Sequence, residues 1–246
     1  METVDVVMLT KNSERLLKQC VKSIYENVPV HNLIVVDGSS TDGTLAILEE
    51  FNRRHRNVRV LTDNGSRGKA RETGIRNVET NWFVFVDSDV ILCGDWFKKA
   101  KRHVKSGVGA VWGVDVPGDV RNSLVTKALQ WMEARVFAIR GGCHDILIRR
   151  SAVKDIRIPA ELHTLEDAYI KEWILNRKYK VVVSYTSNCR HYKTTENLFS
   201  VENTVSTLRE FRRMGLVMER FVYAGVFTLV WIFQELSSRS EKGRLP

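Results

Sequence analysis

Trp82-Phe83-Val84-Phe85-Val86 is an unbroken aromatic and β-branched run that stops at Asp87-Ser88-Asp89 and resumes as Val90-Ile91-Leu92. A run with no polar alternation reads as a strand covered on both faces, as in a parallel sheet between two helix layers. Carboxylates at the end of such a strand are costly to bury unless they meet a cation or hydrogen-bond donors. In open α/β sheets, ligands bind beyond the carboxyl ends of the strands. Two acids in that place suit a hard divalent ion, Mn²⁺ or Mg²⁺, held together with a substrate's phosphates. A strand end with solvated, turn-forming aspartates is the competing reading of these residues alone.

The first half of the chain repeats this strand-and-turn unit. Val4–Leu9 reads as a strand, and Ser13–Tyr25 as a helix through Leu16, Leu17, Cys20, Val21 and Ile24. Leu33–Val36 is a second strand ending at Asp37, followed by the polar turn Asp37 to Thr44 and a helix over Leu45–Phe51. Val58–Leu61 is a third strand, and Asn64-Gly65-Ser66-Arg67-Gly68-Lys69-Ala70-Arg71 is a basic loop leading into a helix through Gly74 and Val78. The alternation predicts an α/β domain with a doubly wound, mostly parallel sheet. In the second half, helices are expected over Asp95–Val104, Ser123–Ala138 and Leu165–Leu175, and strands over Ala110–Val116, Asp145–Ile148 and Lys180–Tyr185. Gly141-Gly142-Cys143-His144 reads as a turn.

With 246 residues, 43% of them hydrophobic, the chain can bury one large core plus an appendage. Its net charge of +9 favours polyanionic partners: nucleic acid, anionic headgroups or phosphorylated ligands. The basic residues are dispersed and lack an RNA-binding aromatic signature, which argues against nucleic acid. Cys20, Cys93, Cys143 and Cys189 stand far apart without metal-ligand spacing and read as reduced thiols in a cytosolic setting. Acidic residues appear at once at the N-terminus, so no signal peptide is expected.

Three strand ends carry what a nucleoside diphosphate needs. Asp37 can accept from a base N–H or a ribose hydroxyl, although the Ser, Thr and Gly around it also suit a turn and helix N-cap. Arg67 to Arg71 can bring cations and helix N-terminal amides to a diphosphate, or form a solvated helix start; the Walker spacing is missing. Asp87 and Asp89 supply metal-binding carboxylates.

Taken together, Asp37 to Thr44, Gly68-Lys69-Ala70-Arg71 with Gly74, Asp87-Ser88-Asp89 as an Asp-x-Asp motif and Leu165-Glu166-Asp167 resemble the GT-A fold of family 2 glycosyltransferases. The resemblance covers roughly the first three quarters of the chain by these motifs. It implies a Rossmann-like GT-A domain over residues 1–196, and a nucleotide site of Thr10, Asn12, Asp37, Ser39, Gly68, Lys69, Arg71, Asp87 and Ser88. Asp89, with Asp87, would bind the metal, and Asp167 matches the family's catalytic base. Gly141, Gly142 and Glu166 would lie on the acceptor side. Some relatives place a metal-binding histidine near His191; a surface histidine in a basic loop is the alternative. Where cellulose-synthase-like relatives carry Gln-x-x-Arg-Trp, this chain has Thr207-Leu208-Arg209-Glu210-Phe211-Arg212-Arg213, so an arginine clamp on the diphosphate by Arg209, Arg212 or Arg213 is the part that can be shared. The usual Pro-x-Tyr-Asn is Leu9-Thr10-Lys11-Asn12, and Gly38 stands where a second aspartate is frequent; both leave nucleobase preference open.

Residues 197–246 differ in character. Leu198–Met214 is a basic amphipathic helix candidate, and Phe221–Phe233 is about a dozen apolar residues, short of the roughly 20 that span a bilayer. This pair fits attachment at a membrane interface, with a span as the alternative. The expectation is an inverting, metal-dependent enzyme at the cell membrane with its catalytic domain facing the cytoplasm. It moves a hexose, with mannose from GDP-mannose ahead of glucose from a UDP donor, to a polyprenyl-type lipid-linked acceptor. A polysaccharide synthase and a catalytically silent membrane or nucleic-acid-binding module are the rival readings.

Overall fold

The computed structural model describes residues 2–117, 143–162 and 165–192, and the helical positions 205, 208, 209, 212, 221, 224, 225 and 228. The helix expected over Ser123–Ala138, and Gly141 and Gly142, lie outside the described residues. Two compact units divide the chain, Met1–Lys193 and Thr194–Pro246. In the second unit the described positions are helical, Val205 and Phe221 are exposed, and Arg213 is outside the described set.

In the first unit the strand Trp82–Val86 (β4) is buried at every residue, as its unbroken apolar run requires. It lies near the middle of an eight-stranded sheet built with β1 (Val4–Thr10), β2 (Val30–Asp37), β3 (Val58–Thr62), β5 (Val90–Leu92), β6 (Val108–Pro117), β7 (Asp145–Arg149) and β8 (Lys180–His191). The order is β3-β2-β1-β4-β7-β6-β8-β5. β1, β2, β3 and β4 run parallel, and β6 and β8 share their direction; β7 is inserted antiparallel between β4 and β6, and β5 pairs antiparallel with β8. The sheet is thus mostly parallel, with β7 and β5 reversed.

Side chains alternate across the sheet because the strand repeat is two residues. Val4, Val6 and Met8 of β1 face one core with Leu17, Cys20, Val21 and Ile24 of α1 (Glu14–Asn27), Leu48 and Phe51 of α2 (Thr44–His55), and Trp96, Phe97 and Ala100 of α4 (Trp96–Lys101). Val7 faces the other core with Ile75 of α3 (Arg67–Arg76) and Ile170 and Ile174 of α5 (Glu166–Asn176). Helices therefore cover both faces, which makes the sheet doubly wound. Gly74 of α3 lies directly on β1, where an added Cβ would stand 2.4 Å from Val7 Cγ1.

Two departures from the expected bounds bear on the strand-end edge. α3 begins at Arg67, capped by Ser66 Oγ accepting from the Lys69 amide, so the basic stretch is the first turns of a helix instead of a loop. β8 runs six residues past Tyr185, to His191. Its polar end stays inside because Ser184 and Ser187 hydroxyls bond each other at 2.8 Å and Ser187 donates to the Trp96 carbonyl at 3.3 Å. The strand's direction brings its C-terminal residue to the edge where β1, β2 and β4 end.

Candidate active site

Thr10, Asp37 and Asp87 follow from three neighbouring parallel strands, so their side chains collect at one edge of the sheet. Asp37 is buried. Its Oδ1 accepts from Thr10 Oγ1 at 2.8 Å and Ser40 Oγ at 2.6 Å, and its Oδ2 from the Ser40 amide at 2.8 Å. Asn12 and Ser39 adopt left-handed backbone conformations, φ 49° and 59°. Asn12 ties the first two strand-end loops: its amide donates to Ser40 Oγ, and its Oδ1 accepts from the Thr41 amide, both at 2.9 Å. Ser39 Oγ bonds Asn64 Oδ1 at 2.6 Å, and the Ser13 and Ser88 hydroxyls meet at 2.9 Å. Thr10, Asp37 and Asn12 thus share one hydrogen-bonded network through Ser40, while Ser39 and Ser88 tie neighbouring loops separately.

At the end of β4, Asp87, Asp89 and His191 offer ligand atoms within 4.8 Å of one another. His191 is buried, and its Nε2 stands 3.2 Å from Oδ1 of the half-exposed Asp89. β5 and β8 create this meeting, since Val90 pairs with His191 across the sheet. Two carboxylates and an imidazole are hard and borderline donors, a set that fits Mn²⁺ or Mg²⁺, with the imidazole tilting toward Mn²⁺.

Gly68 and Arg71, expected at the diphosphate, are buried, and Lys69, expected there too, is partly exposed and paired within α3. A Cβ on Gly68 would stand 2.6 Å from Ile158 Cγ2, so this glycine serves close packing. Lys69 Nζ donates to Glu72 Oε2 at 3.0 Å, and the same carboxylate oxygen receives the Ile158 amide. Arg71 is buried, stacked 4.8 Å from the centre of the Phe85 ring, with Nη2 donating to Asp87 Oδ1 at 2.6 Å and Nε 3.9 Å from Glu166 Oε1. Burial acts to raise the Asp87 pKa, but the Arg71 guanidinium outweighs it, aided by His191 and His144 when charged, and the carboxyl lies below its ordinary value.

Glu166 and Asp167 open α5 and part in role. Glu166, expected on the acceptor side, is buried against Arg71 and Arg67. Burial and the neighbouring Asp167 raise its pKa to about 7 against the pull of the two arginines. Asp167 is half-buried on the first helical turn. Burial pushes the Cys143 thiol well above its ordinary pKa.

His144 is a site residue that the sequence reading left in a turn. Its carbonyl accepts from the Asp87 amide at 3.3 Å, and its ring centre is 5.2 Å from that of His191. The antiparallel β4–β7 pairing causes this, and no local pattern announces it. Arg209 and Arg212 are exposed in the second unit.

A polar loop cluster beside three side chains that could hold a metal ion lies at the carboxyl edge of a doubly wound α/β sheet. Residues 5–155 match Glycosyl transferase family 2, and the chain belongs to that family. It is 32% identical over 110 residues to the poly(ribitol-phosphate) beta-glucosyltransferase of Bacillus spizizenii, a match covering 41% of this chain and 17% of that protein. The chain spans only 14% and 17% of the lengths of the first curated relatives it matches. Among solved structures, it resembles a mannosyltransferase from Pyrobaculum calidifontis in complex with GDP-Man and Mn²⁺, with TM-score 0.68, 17% identity, and coverage of 86% of this chain and 64% of that one. Glucosyl-3-phosphoglycerate synthase from Mycobacterium tuberculosis, with Mn²⁺, UDP-glucose and phosphoglyceric acid, gives TM-score 0.62 at 18% identity, covering 87% and 80%. These likenesses establish the GT-A fold.

Proposed function

We propose that this glycosyltransferase moves a hexose from a nucleotide sugar to an acceptor hydroxyl with inversion. The observation that carries the reading is the convergence of Asp87, Asp89 and His191 beside the Asp37 loop cluster. Asp87, Asp89 and His191 would hold the divalent ion, which when bound stabilises charge on the departing diphosphate. Asp37, Thr10 and the stitched loops at Asn12, Ser39 and Ser88 orient the nucleoside. Arg71 keeps Asp87 ionised and aimed. Asp167 takes the acceptor hydroxyl's proton as its oxygen attacks the anomeric carbon from the face opposite the diphosphate.

Mannose from GDP-mannose is the first donor to test, supported by the fold shared with the Pyrobaculum enzyme in its GDP-Man complex. UDP-glucose is the second reading, favoured by the identity to a glucosyltransferase. The acceptor we propose is lipid-linked, met at a membrane surface with residues 1–196 on the cytoplasmic side. The basic and apolar stretches of residues 197–246 support that placement; among the described residues, no helix is long and apolar enough to cross a membrane.

The test is calorimetric binding of both donors with Mn²⁺ and with chelator, on wild type, Asp89→Ala and Asp167→Asn. Metal-dependent binding of one donor, abolished by Asp89→Ala and kept by Asp167→Asn while transfer collapses, is the expected result. Equal binding with and without metal would overturn the metal-site reading, and no binding of either donor would overturn the donor choice.

A further inference from the structure

Behind the metal triad lies a second chain of polar groups that the transfer reaction as described does not use. Asp145, at the start of β7, is fully buried, and its Oδ2 accepts from Trp96 Nε1 at 3.0 Å. Its Oδ1 stands 3.3 Å from His144 Nε2. Gly113 of β6 makes the room: a Cβ there would lie 1.7 Å from Asp145 Oδ2, so the carboxylate occupies space that any other residue would fill. Trp96 is itself fully buried in the core under α4. Three elements therefore converge to seat one carboxylate behind one imidazole. Burying a carboxylate is expensive, and hydrogen bonds to its charged form are what make it tolerable.

The imidazole is where this chain meets the site. The His144 side chain keeps 14% of its surface exposed, its ring centre is 5.2 Å from that of His191, and its carbonyl holds the Asp87 amide. A carboxylate this close to one ring nitrogen limits how the ring can turn, and either ring nitrogen can carry an N–H toward an anion. The cluster it adjoins is the one proposed above to take a metal and a diphosphate.

We propose that His144 contacts the diphosphate of the bound nucleotide sugar, and that Asp145 and Trp96 are positioning residues that hold its ring in place. In transfer, the bond between the anomeric carbon and the diphosphate oxygen breaks and leaves its electron pair on that oxygen. His144 stabilises the added charge there, while the acceptor's proton goes to Asp167. This inference rests on the reading of the pocket as a nucleotide-sugar site.

The test uses the full chain and separates the diphosphate from the metal. Mn²⁺ alone is titrated first, then UDP, GDP, UMP and GMP in saturating Mn²⁺, on wild type, His144→Ala, His144→Gln and Asp145→Asn, with circular dichroism confirming the fold. Loss of a charge-assisted contact weakens the preferred nucleoside diphosphate about tenfold in His144→Ala. Its monophosphate and Mn²⁺ itself bind as in wild type, so the preference for diphosphate over monophosphate collapses. His144→Gln, which keeps an N–H donor, recovers part of it, and this pair carries the test should Asp145→Asn not fold. An unchanged diphosphate preference in His144→Ala overturns the inference, and so does loss of Mn²⁺ binding, which would make His144 a metal ligand. Failure of wild type to bind UDP or GDP at all would instead overturn the nucleotide-sugar reading, and this inference with it.

Discussion

Replacing Arg71 by Met separates a structural cation from a substrate-binding one. The guanidinium is 3% exposed and lies between Asp87, at 2.6 Å, and Glu166, at 3.9 Å. Removing one partner of a buried ion pair costs about 3–5 kcal/mol, because the remaining charge keeps its desolvation penalty. Asp87 retains 28% exposure and recovers some hydration, so the lower end, about 3 kcal/mol, is expected near pH 8. The pH dependence has a definite sign. A carboxyl held below its ordinary pKa contributes stability above that ordinary value and loses it as pH falls through the folded one. Arg71→Met forfeits the Asp87 contribution, so its deficit is full at pH 8 and shrinks toward pH 4. Below pH 7 the shrinkage gains from Glu166, which takes up a proton near that pH. Urea denaturation at pH 8 and pH 5 measures both points. A deficit under about 1 kcal/mol, equal at the two pH values, would refute the argument. So would unchanged stability with donor affinity alone reduced, which would return Arg71 to the diphosphate.

Glu166→Gln is expected to flatten the pH dependence of stability. The folded pKa of about 7 lies above the ordinary 4.5, so the protonated carboxyl's contribution is whole below pH 4.5 and is lost as pH rises through 7, on the order of 3 kcal/mol in all. Melting curves from pH 5 to 8 should fall for wild type relative to the variant, and parallel curves would refute it. Gly74→Ala should destabilise by about 1–2 kcal/mol net, overpacking against Val7 outweighing a helix-propensity gain of about 1 kcal/mol. Adding Val7→Ala should relieve part of the strain; strictly additive losses would show that the two side chains do not compete for the same space.

The strand ends of the first half are legible in the sequence because their logic is local. Each strand from β1 to β4 is followed within a few residues by the side chains it delivers, so Thr10, Asp37 and Asp87 can be read from position alone. What stayed hidden depends on pairings between distant segments. Arg71 reads from the sequence as a phosphate ligand because a basic residue near a helix start suits one, and nothing nearby in sequence shows that it pairs with Asp87 and Glu166. For His191 the sequence leaves a metal ligand and a surface-loop histidine both open, because apolar residues stop at Tyr185, whereas Ser184 and Ser187 satisfy each other and let a polar strand run on to bury it. His144 needed the β4–β7 register, which pairs Val86 with Asp145 across nearly sixty residues of chain.

Among the described residues, the short strand β5 pairs in the sheet with β8 alone. On a ribosome, Asp87 and Asp89 emerge about a hundred residues before His191. For that interval the nascent chain carries a bare acidic pair, with its third ligand still inside the synthesis machinery. If these three residues hold a metal as proposed, competence to do so arrives late, with β8, and a nascent domain stalled anywhere earlier carries the strand-end loops without a completed centre.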